Sequence, residues 1–471
     1  MFRSASVIAL AAALTACAHV PELEAKPDVK APATYASVQS FQAPARDWPA
    51  QDWWTAYGDQ QLNSLVEQAL KSSPTLAQAQ ARLDKAQSQV QTAKGQRAPQ
   101  VDFNAQAAEV KQSYNNGFPR EFLPQGYNDT ERATFDAKWD ADLFGKNRAA
   151  LAAAVSEAEA TRVDAAQARL VLASNIVAAY SDLGRLYGDR DAAEQAIELR
   201  KVTTDLATRR TNSGVANIGE QRQAETATGQ AIGELQSLDE QIIVARNKLA
   251  ALVGVGPDAG LALTRPMRPP KTVFGLPPEL SLELIGRRPD IEAARLRAEA
   301  MGSRIKVAKA GFYPNINLSA FVGLQSLHLN QLTQSGSDVG QLAAAFNLPI
   351  FSGGRLEGAY KGARADYDLA VANYDVTLTT ALQEVADAAA IARSIDARLV
   401  QARETLVSAE ESAKIARLRY EGGLSNALTA IVAEDAVINQ RRTIADLEGR
   451  RVSVDAQLVR ALGGGYRRSK S

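Results

Sequence analysis

Cysteine is almost missing from this 471-residue chain: Cys17 is the only one. A single thiol excludes an intrachain disulfide and any multi-cysteine metal site. Histidine is nearly as scarce, with only His19 and His328. No Ser/His/Asp arrangement, Cys/His cluster or His-Glu-x-x-His segment exists, so acyl transfer and zinc chemistry lack their residues. No enzymatic activity, cofactor or metal is expected. GVGPDAG (254–260) has the wrong spacing for a dinucleotide loop and carries Pro257 where a helix should open, so it reads as a helix end. Neither sign of charge is in excess, with 53 basic and 53 acidic residues, and the electrostatic case for nucleic acid falls with that balance. Aromatics make up 6 %. What is plentiful is Ala, Gln, Glu, Arg and Leu, a long-helix composition.

The first residues, MFRSASVIALAAALTAC, hold one basic residue (Arg3) and an apolar run from Val7 to Leu14. That run is too short to span a bilayer as a mature helix, and it reads as a signal peptide over 1–16. Leu14-Thr15-Ala16-Cys17 resembles the bacterial lipobox, in which the cysteine is lipidated and becomes the new N-terminus. Ala18 lacks the aspartate often found there in inner-membrane lipoproteins, and so points to the outer membrane. Residues 17–48 are polar, contain several prolines and show no periodicity; they read as an extended tether.

The remainder is written twice. Residues 65–105 lie on 280–320 without a gap, matching Leu65 with Leu280, Pro74 with Pro289, Ala93-Lys94 with Ala308-Lys309 and Pro99 with Pro314. Downstream, Phe144 and Arg148 match Phe351 and Arg355, and Gly214 and Asn217 match Gly423 and Asn426. The chain is a tandem duplication, 49–254 and 279–463, joined by a Pro-rich connector over 255–278 and followed by a tail over 464–471. Each copy opens with a helix (59–95; 279–311), continues with two strands, and ends in two very long helices split by a Gly-containing turn. Proline is absent from Arg148 to Arg210 and from Arg355 to Glu421. Sixty residues of uninterrupted helix run about 90 Å.

The strands are expected near 100–110, 132–143, 314–324 and 339–350. In ATFDAKWDADL (133–143) every odd position is apolar and every even one polar, the period-two signature of a strand with unlike faces. About ten residues is the length of a tilted transmembrane strand. Four strands close no membrane barrel, and an open edge is not tolerated in lipid. Either the sheet is soluble, or several chains contribute four staves each; three chains give twelve.

The stretch GLPPELSLELIGRRPDIEAARLRAEA…IKVAKAGFYPNINLSAFVG from Gly275, with Asp52-Trp53-Trp54, Trp139–Phe144-Gly145, Pro349-Ile350-Phe351 and Leu462-Gly463-Gly464, resembles the outer membrane factors of tripartite efflux systems. The likeness is to the TolC/OprM-like family and its NodT-type lipoprotein branch. The resemblance implies a mainly α chain with a transmembrane β-barrel portion. It implies a homotrimer with a twelve-stranded barrel in outer membrane lipid and a long periplasmic α-helical barrel. It further implies docking to a periplasmic adaptor and an inner-membrane pump of the resistance–nodulation–division type, and passive conduction of that pump's cargo. On that reading Phe135 and Trp139 face lipid, while Asp102, Asp136, Lys138, Asp140 and Asp142 face a watery lumen. Four carboxylates against one lysine predict a cation-preferring pore.

In this family the far helix ends close the periplasmic entrance. The matching turns are 209–220 and 419–435, with Gly214, Val215, Gly423, Leu424 and Ser425 as adaptor contacts. Arg209, Arg210, Glu220, Arg419, Tyr420, Thr429, Glu434 and Asp435 are the gate candidates, Arg and Tyr holding acids through charge-assisted bonds. Thr429 stands where many relatives carry an acidic residue. Tyr420→Phe or Glu220→Ala is expected to raise leak. Two other readings are a periplasmic coiled-coil structural lipoprotein with a soluble sheet, and the outlet of a type I protein secretion system.

Overall fold

The computed structural model describes residues 20–31, 34–37, 39–115, 117–267, 275–278 and 280–467; the signal peptide and Cys17 lie outside them. The elements are α1 (Gln60–Ser72), α2 (Pro74–Gly95), β1 (Gln100–Val110), β2 (Asn128–Asp140), α3 (Lys146–Asn212), α4 (Ile218–Val253), the one-turn α5 (Asp258–Leu261), α6 (Leu280–Arg287), α7 (Pro289–Ala310), β3 (Asn315–Ser326), β4 (Asp338–Asn347), α8 (Arg355–Glu421) and α9 (Ala427–Ala461). The two repeats therefore share one element order. Their long helices have the same length, 67 residues for α3 and for α8, or about 100 Å each. Gly184, Gly188, Gly358 and Gly362 break neither helix.

The opening helix of each repeat is two helices, not one. Ser73 adopts extended backbone and α2 begins at Pro74, and α7 begins at Pro289 directly after Arg288. Proline has no N–H to donate, so it suits the first position of a helix and not an interior one.

The chain divides into two compact units. The first holds Arg82–Arg162 and Ala293–Tyr374 with the chain up to Val29, and contains the sheet; the second holds Lys30–Ala81, Val163–Glu292 and Asp375–Ser471. In the second unit Trp53, Trp54 and Tyr57 pack with Leu62 and Val66 of α1, Ile176, Tyr180 and Leu183 of α3, and Leu249 of α4. Asp59 caps α1, accepting from the Leu62 N–H at 3.1 Å, and also accepts the Tyr180 hydroxyl at 2.8 Å. The two tryptophans of the Asp-Trp-Trp segment are thus core, while Asp52 stays exposed.

The Arg-Arg-Pro-Asp segment is structural too. Arg288 is 4 % exposed. Its guanidinium donates to the Ala461 carbonyl at 3.0 Å and to Asp290 at 2.9 Å, and pairs with Glu384 at 2.8 Å. The buried cation is thus fully partnered, and it fastens the α6–α7 corner to the end of α9. Gly463 passes so close to that corner that a Cβ would lie 1.9 Å from the Arg287 carbonyl oxygen, at φ +89°; only glycine fits.

In the stretch read as a tether, residues 20–31 are free of helix and strand and two short turns follow, Thr34 N–H to the Ala31 carbonyl and Phe41 N–H to the Ser37 carbonyl; its described parts are fastened to α8. In the first unit Arg364 donates to the carbonyls of Glu24 and Ala25 at 2.6 and 2.7 Å, and the Tyr367 hydroxyl donates to Pro27 at 3.1 Å. In the second unit Lys30 pairs with Asp375 at 3.3 Å and Arg393 donates to the carbonyls of Ser40 and Gln42. Ala45 then forms a parallel bridge with Leu276. The described residues of 24–46 are called the strap.

Candidate functional site: an unpaired sheet and a double helix tip

The four strands form one antiparallel sheet in the order β1-β2-β3-β4, so the β2–β3 pairing joins the two repeats and β1 and β4 are free edges. Registers align the alternation across all four strands. Phe103 lies opposite Phe135, Phe135 opposite Val322, Trp139 opposite Leu318 and Ala137 opposite Ala320. Ala320 lies opposite Leu342 and Ile316 opposite Phe346. Directly paired residues share a face, so between Ala133 and Trp139 and across to their partners one face is apolar, with the buried Glu131 beyond that band toward the start of β2; the large side chains of the band stand exposed. Val101 is 64 %, Val322 65 % and Leu342 82 % exposed. From Ile316 to Leu324 the apolar band follows the strand for about 30 Å, or about 23 Å in height at a 40° tilt, against the ~25 Å lipid-facing band of outer-membrane barrels.

Aromatic side chains flank that band. At the helical end Trp139 donates its indole N–H to the Arg97 carbonyl at 3.0 Å, and Phe144 stacks on Tyr313 with centroids 4.9 Å apart. At the other end Phe118, Phe122 and Tyr127 stand exposed in the β1–β2 loop. Aromatic girdles at both interfaces mark a lipid-crossing barrel wall. Among the described residues no helix is long and apolar enough to cross a membrane.

The opposite face carries Asp102, Asn104, Thr134, Asp136, Lys138, Asp140, Asn317 and Ser319 by the same registers. Two corrections follow. β2 ends at Asp140, so Asp142 is not a strand residue: at φ +47° its carboxylate caps α3, accepting from the N–H groups of Asn147 and Arg148 at 2.8 and 2.9 Å. The alternation at Ala141 and Leu143 is a turn that keeps strand parity by coincidence. Arg132 belongs to the polar face, 3.9 Å from Asp136 and over the Phe321 ring at 4.4 Å. Three strand carboxylates against two cations leave one net negative charge per chain on this face.

In the second unit the two repeats build the same turn where their long helices end. α3 ends with the Val215 N–H donating to the Arg210 carbonyl and α8 with the Leu424 N–H donating to the Arg419 carbonyl, at 2.9 and 2.8 Å. Gly214 at φ +74° and Gly423 at φ +75° supply the left-handed residue that this C-cap requires. Asn217 and Asn426 then cap α4 and α9, accepting from the N–H groups of Glu220 and Thr429 at 3.1 and 3.0 Å. Thr429 is thus a helix-capping partner, its hydroxyl also donating to Asn426 at 2.9 Å.

The candidate gate residues fall into three groups. Arg210 and Glu220 of the first repeat reach the second: the Arg210 guanidinium donates to the Tyr420 carbonyl at 2.5 Å and lies 4.9 Å from that ring, and Glu220 accepts the Ala427 N–H at 3.4 Å. Tyr420 is wholly buried, and its hydroxyl has no partner among the described residues. Burial, with Glu220 nearby and against the pull of Arg210, lifts the phenol above its ordinary range. Deeper along the helices, Asp435 pairs with Arg200 and Glu434 accepts the Thr203 hydroxyl at 2.8 Å. Arg209 and Arg419 are exposed, Arg209 donating to Asp205 of its own helix. The partners Arg200 and Thr203 are not among the sequence-derived candidates, although they sit on the α3 stripe between Ala196 and Ala207. No group of three His, Cys, Asp or Glu positioned for a metal occurs among the described residues.

Known proteins share this architecture. The family model described as "Outer membrane efflux protein" matches residues 65–255 and 280–464. Multidrug resistance outer membrane protein MdtP of Escherichia coli is 30 % identical over 89 % of this chain and 87 % of its own. Fusaric acid resistance protein FusA of Burkholderia cepacia is 34 % identical over 68 % of this chain and 60 % of its own. The crystal structure of outer membrane protein VceC from Vibrio cholerae superposes with a TM-score of 0.83 at 39 % identity, over 89 % of this chain and all of that one. The chain belongs to the outer membrane efflux protein family, whose members are exit channels in the outer membrane of Gram-negative bacteria.

Proposed function

We propose that three copies close a twelve-stranded barrel and that the trimer passively conducts cargo delivered by an inner-membrane pump of the resistance–nodulation–division type through a periplasmic adaptor. The observation that carries this is the apolar face of the sheet, bare across four strands and bounded by two unpaired edges. A soluble sheet would bury that face, and lipid tolerates neither edge unless β1 of one copy pairs with β4 of the next. Asp102, Asp136, Lys138 and Asp140 then line the water-filled side. Lipidation at Cys17 fits the same placement.

The turns at Gly214–Val215 and Gly423–Ser425 are the proposed adaptor contacts, with Val215 and Leu424 67 % and 73 % exposed. The proposed gate lies just behind them, with Arg210 as its main latch and Glu220, Tyr420, Thr429, Glu434 and Asp435 as supporting parts. The names of MdtP and FusA support small organic compounds as cargo.

Light scattering of the detergent-solubilised chain, corrected for bound detergent, tests the assembly. Three copies per particle are expected; a stable monomer overturns the shared barrel. The small net charge of the polar face carries a second expectation. The potassium/chloride permeability ratio of the pore in a planar bilayer should exceed one by only about two- to threefold, because paired charges of opposite sign leave a weak field. A ratio above about ten would mean that acidic residues outside the strands dominate.

A further inference from the structure

Between the helix tips and the middle of α3 and α9, the seam joining the two repeats is built from small apolar side chains. Toward the tip it contains Ala207, Ala224, Ala427, Ala430 and Ile431, with Tyr420. Away from the tip it contains Ala196, Ile197, Ala231 and Ile438. Along α9 these positions recur at three- and four-residue steps, and the step between Ile431 and Ile438 is filled by Glu434. Along α3 the step between Ala196 and Ala207 is filled by Thr203. Both are 2 % exposed. The Thr203 hydroxyl donates to one carboxyl oxygen of Glu434 at 2.8 Å, and the other oxygen has no hydrogen-bond partner among the described residues. The Glu434 carboxyl thus sits among small apolar side chains, one turn from the Arg200–Asp435 pair that also crosses the seam and reaches the Ala227 carbonyl, and an unsatisfied charged oxygen buried there is costly.

We propose that the Glu434–Thr203 layer is a proton-operated latch: the seam is tightest with Glu434 neutral, and deprotonation favours its parting. This rests on the reading of the helix tips as the channel gate. Burial is the largest influence on the carboxyl and raises its pKa; the Thr203 hydroxyl, Arg200 of α3 and Arg417 of α8 oppose that rise, while Asp435 of α9 adds to it. From α4 the flanking core receives Ala224, Ala227, Ala231 and Leu235, none of which titrates. Parting the seam exposes Glu434 to water and returns it to the ordinary carboxylate range. Below that range the carboxyl is neutral in both states and the latch holds fully. As pH rises, the parted state releases its proton first, so opening is progressively favoured until the buried group titrates as well. With three copies in one channel the dependence is multiplied. The pH of the periplasmic side therefore sets how readily the channel opens.

Conductance of the lipid-reconstituted full-length channel between pH 4.5 and 8 tests this. For the unaltered protein the open fraction should rise with pH by about threefold or more. Glu434→Gln should be flat and low throughout. Thr203→Val, which removes a bond that favours the charged form, should keep the rise but move its midpoint to higher pH. A pH-independent open fraction in the unaltered protein, or a slope that survives in Glu434→Gln, overturns the latch while leaving the channel standing. Absence of conductance from all three overturns the channel reading itself, and the latch with it.

Discussion

Val322→Arg is expected to remove the protein from the outer membrane almost completely. Val322 sits mid-band on the apolar face, opposite Phe135 on one side and Gly340 on the other, and 65 % of it is uncovered by its own chain. An arginine at the bilayer midplane costs a barrel about 2–4 kcal/mol, and a three-chain barrel carries it three times. Gln341→Arg is the control. Gln341 pairs with Phe321 on the polar face, so the same cation there should leave assembly intact and shift permeability toward anions. Membrane fractionation with a heat-modifiability gel reads the first effect, and reversal potential reads the second. Equal tolerance of both substitutions would show that protein, not lipid, covers the apolar face.

Arg210→Ala is expected to make the resting channel leak. The guanidinium holds the Tyr420 carbonyl, the shorter of the two bonds that span the repeats at the tip among the described residues, and stacks on the ring. A hydrogen bond to a charged group contributes about 1.5–3 kcal/mol, and each 1.4 kcal/mol is about tenfold in an equilibrium. The ratio of open to shut channels should therefore rise about ten- to a hundredfold, seen as conductance at rest and as uptake of large antibiotics. Tyr420→Phe should change little. The sequence reading assigned a latch to that hydroxyl, but it has no partner among the described residues, and phenylalanine keeps both the ring and the carbonyl that Arg210 grips. Glu220→Ala should fall between, since its single link to the Ala427 N–H is long at 3.4 Å.

The contrast between Arg210 and Tyr420 shows where sequence reading stops. Period-two alternation locates Phe135 and Val322 because a pleated strand has only two faces, and the structure places both on the same one. Proline-free stretches announce α3 and α8, and glycine followed three residues later by asparagine announces both tips. None of these signals says what a side chain touches. Arg210 and Arg419 occupy equivalent places in the two repeats, yet among the described residues only the first donates to a carbonyl of the other repeat, because the contact belongs to packing between repeats. Asp142 kept the parity of a strand that had already ended. Arg132 stands at the very start of the 132–143 stretch, where the sequence does not tell the loop from the strand; the register with Gln106 and Gln325 puts it in β2. The break before Pro74 escaped because apolar periodicity continues on both sides of Ser73, and only the missing proline N–H distinguishes two helices from one.

The strap along α8 carries a different kind of constraint. Arg364, Tyr367 and Arg393 all grip it through main-chain carbonyls, at Glu24, Ala25, Pro27, Ser40 and Gln42. A carbonyl is the same whatever side chain it belongs to, so most letters of the strap are free to drift among related chains. Its spacing is not: Arg364 and Tyr367 stand three residues apart on the helix and hold carbonyls two and three residues apart on the strap. Substitutions there should be nearly silent, while one residue gained or lost should throw every later carbonyl out of its grip. In such a segment the number of residues, more than their identity, is the inherited information.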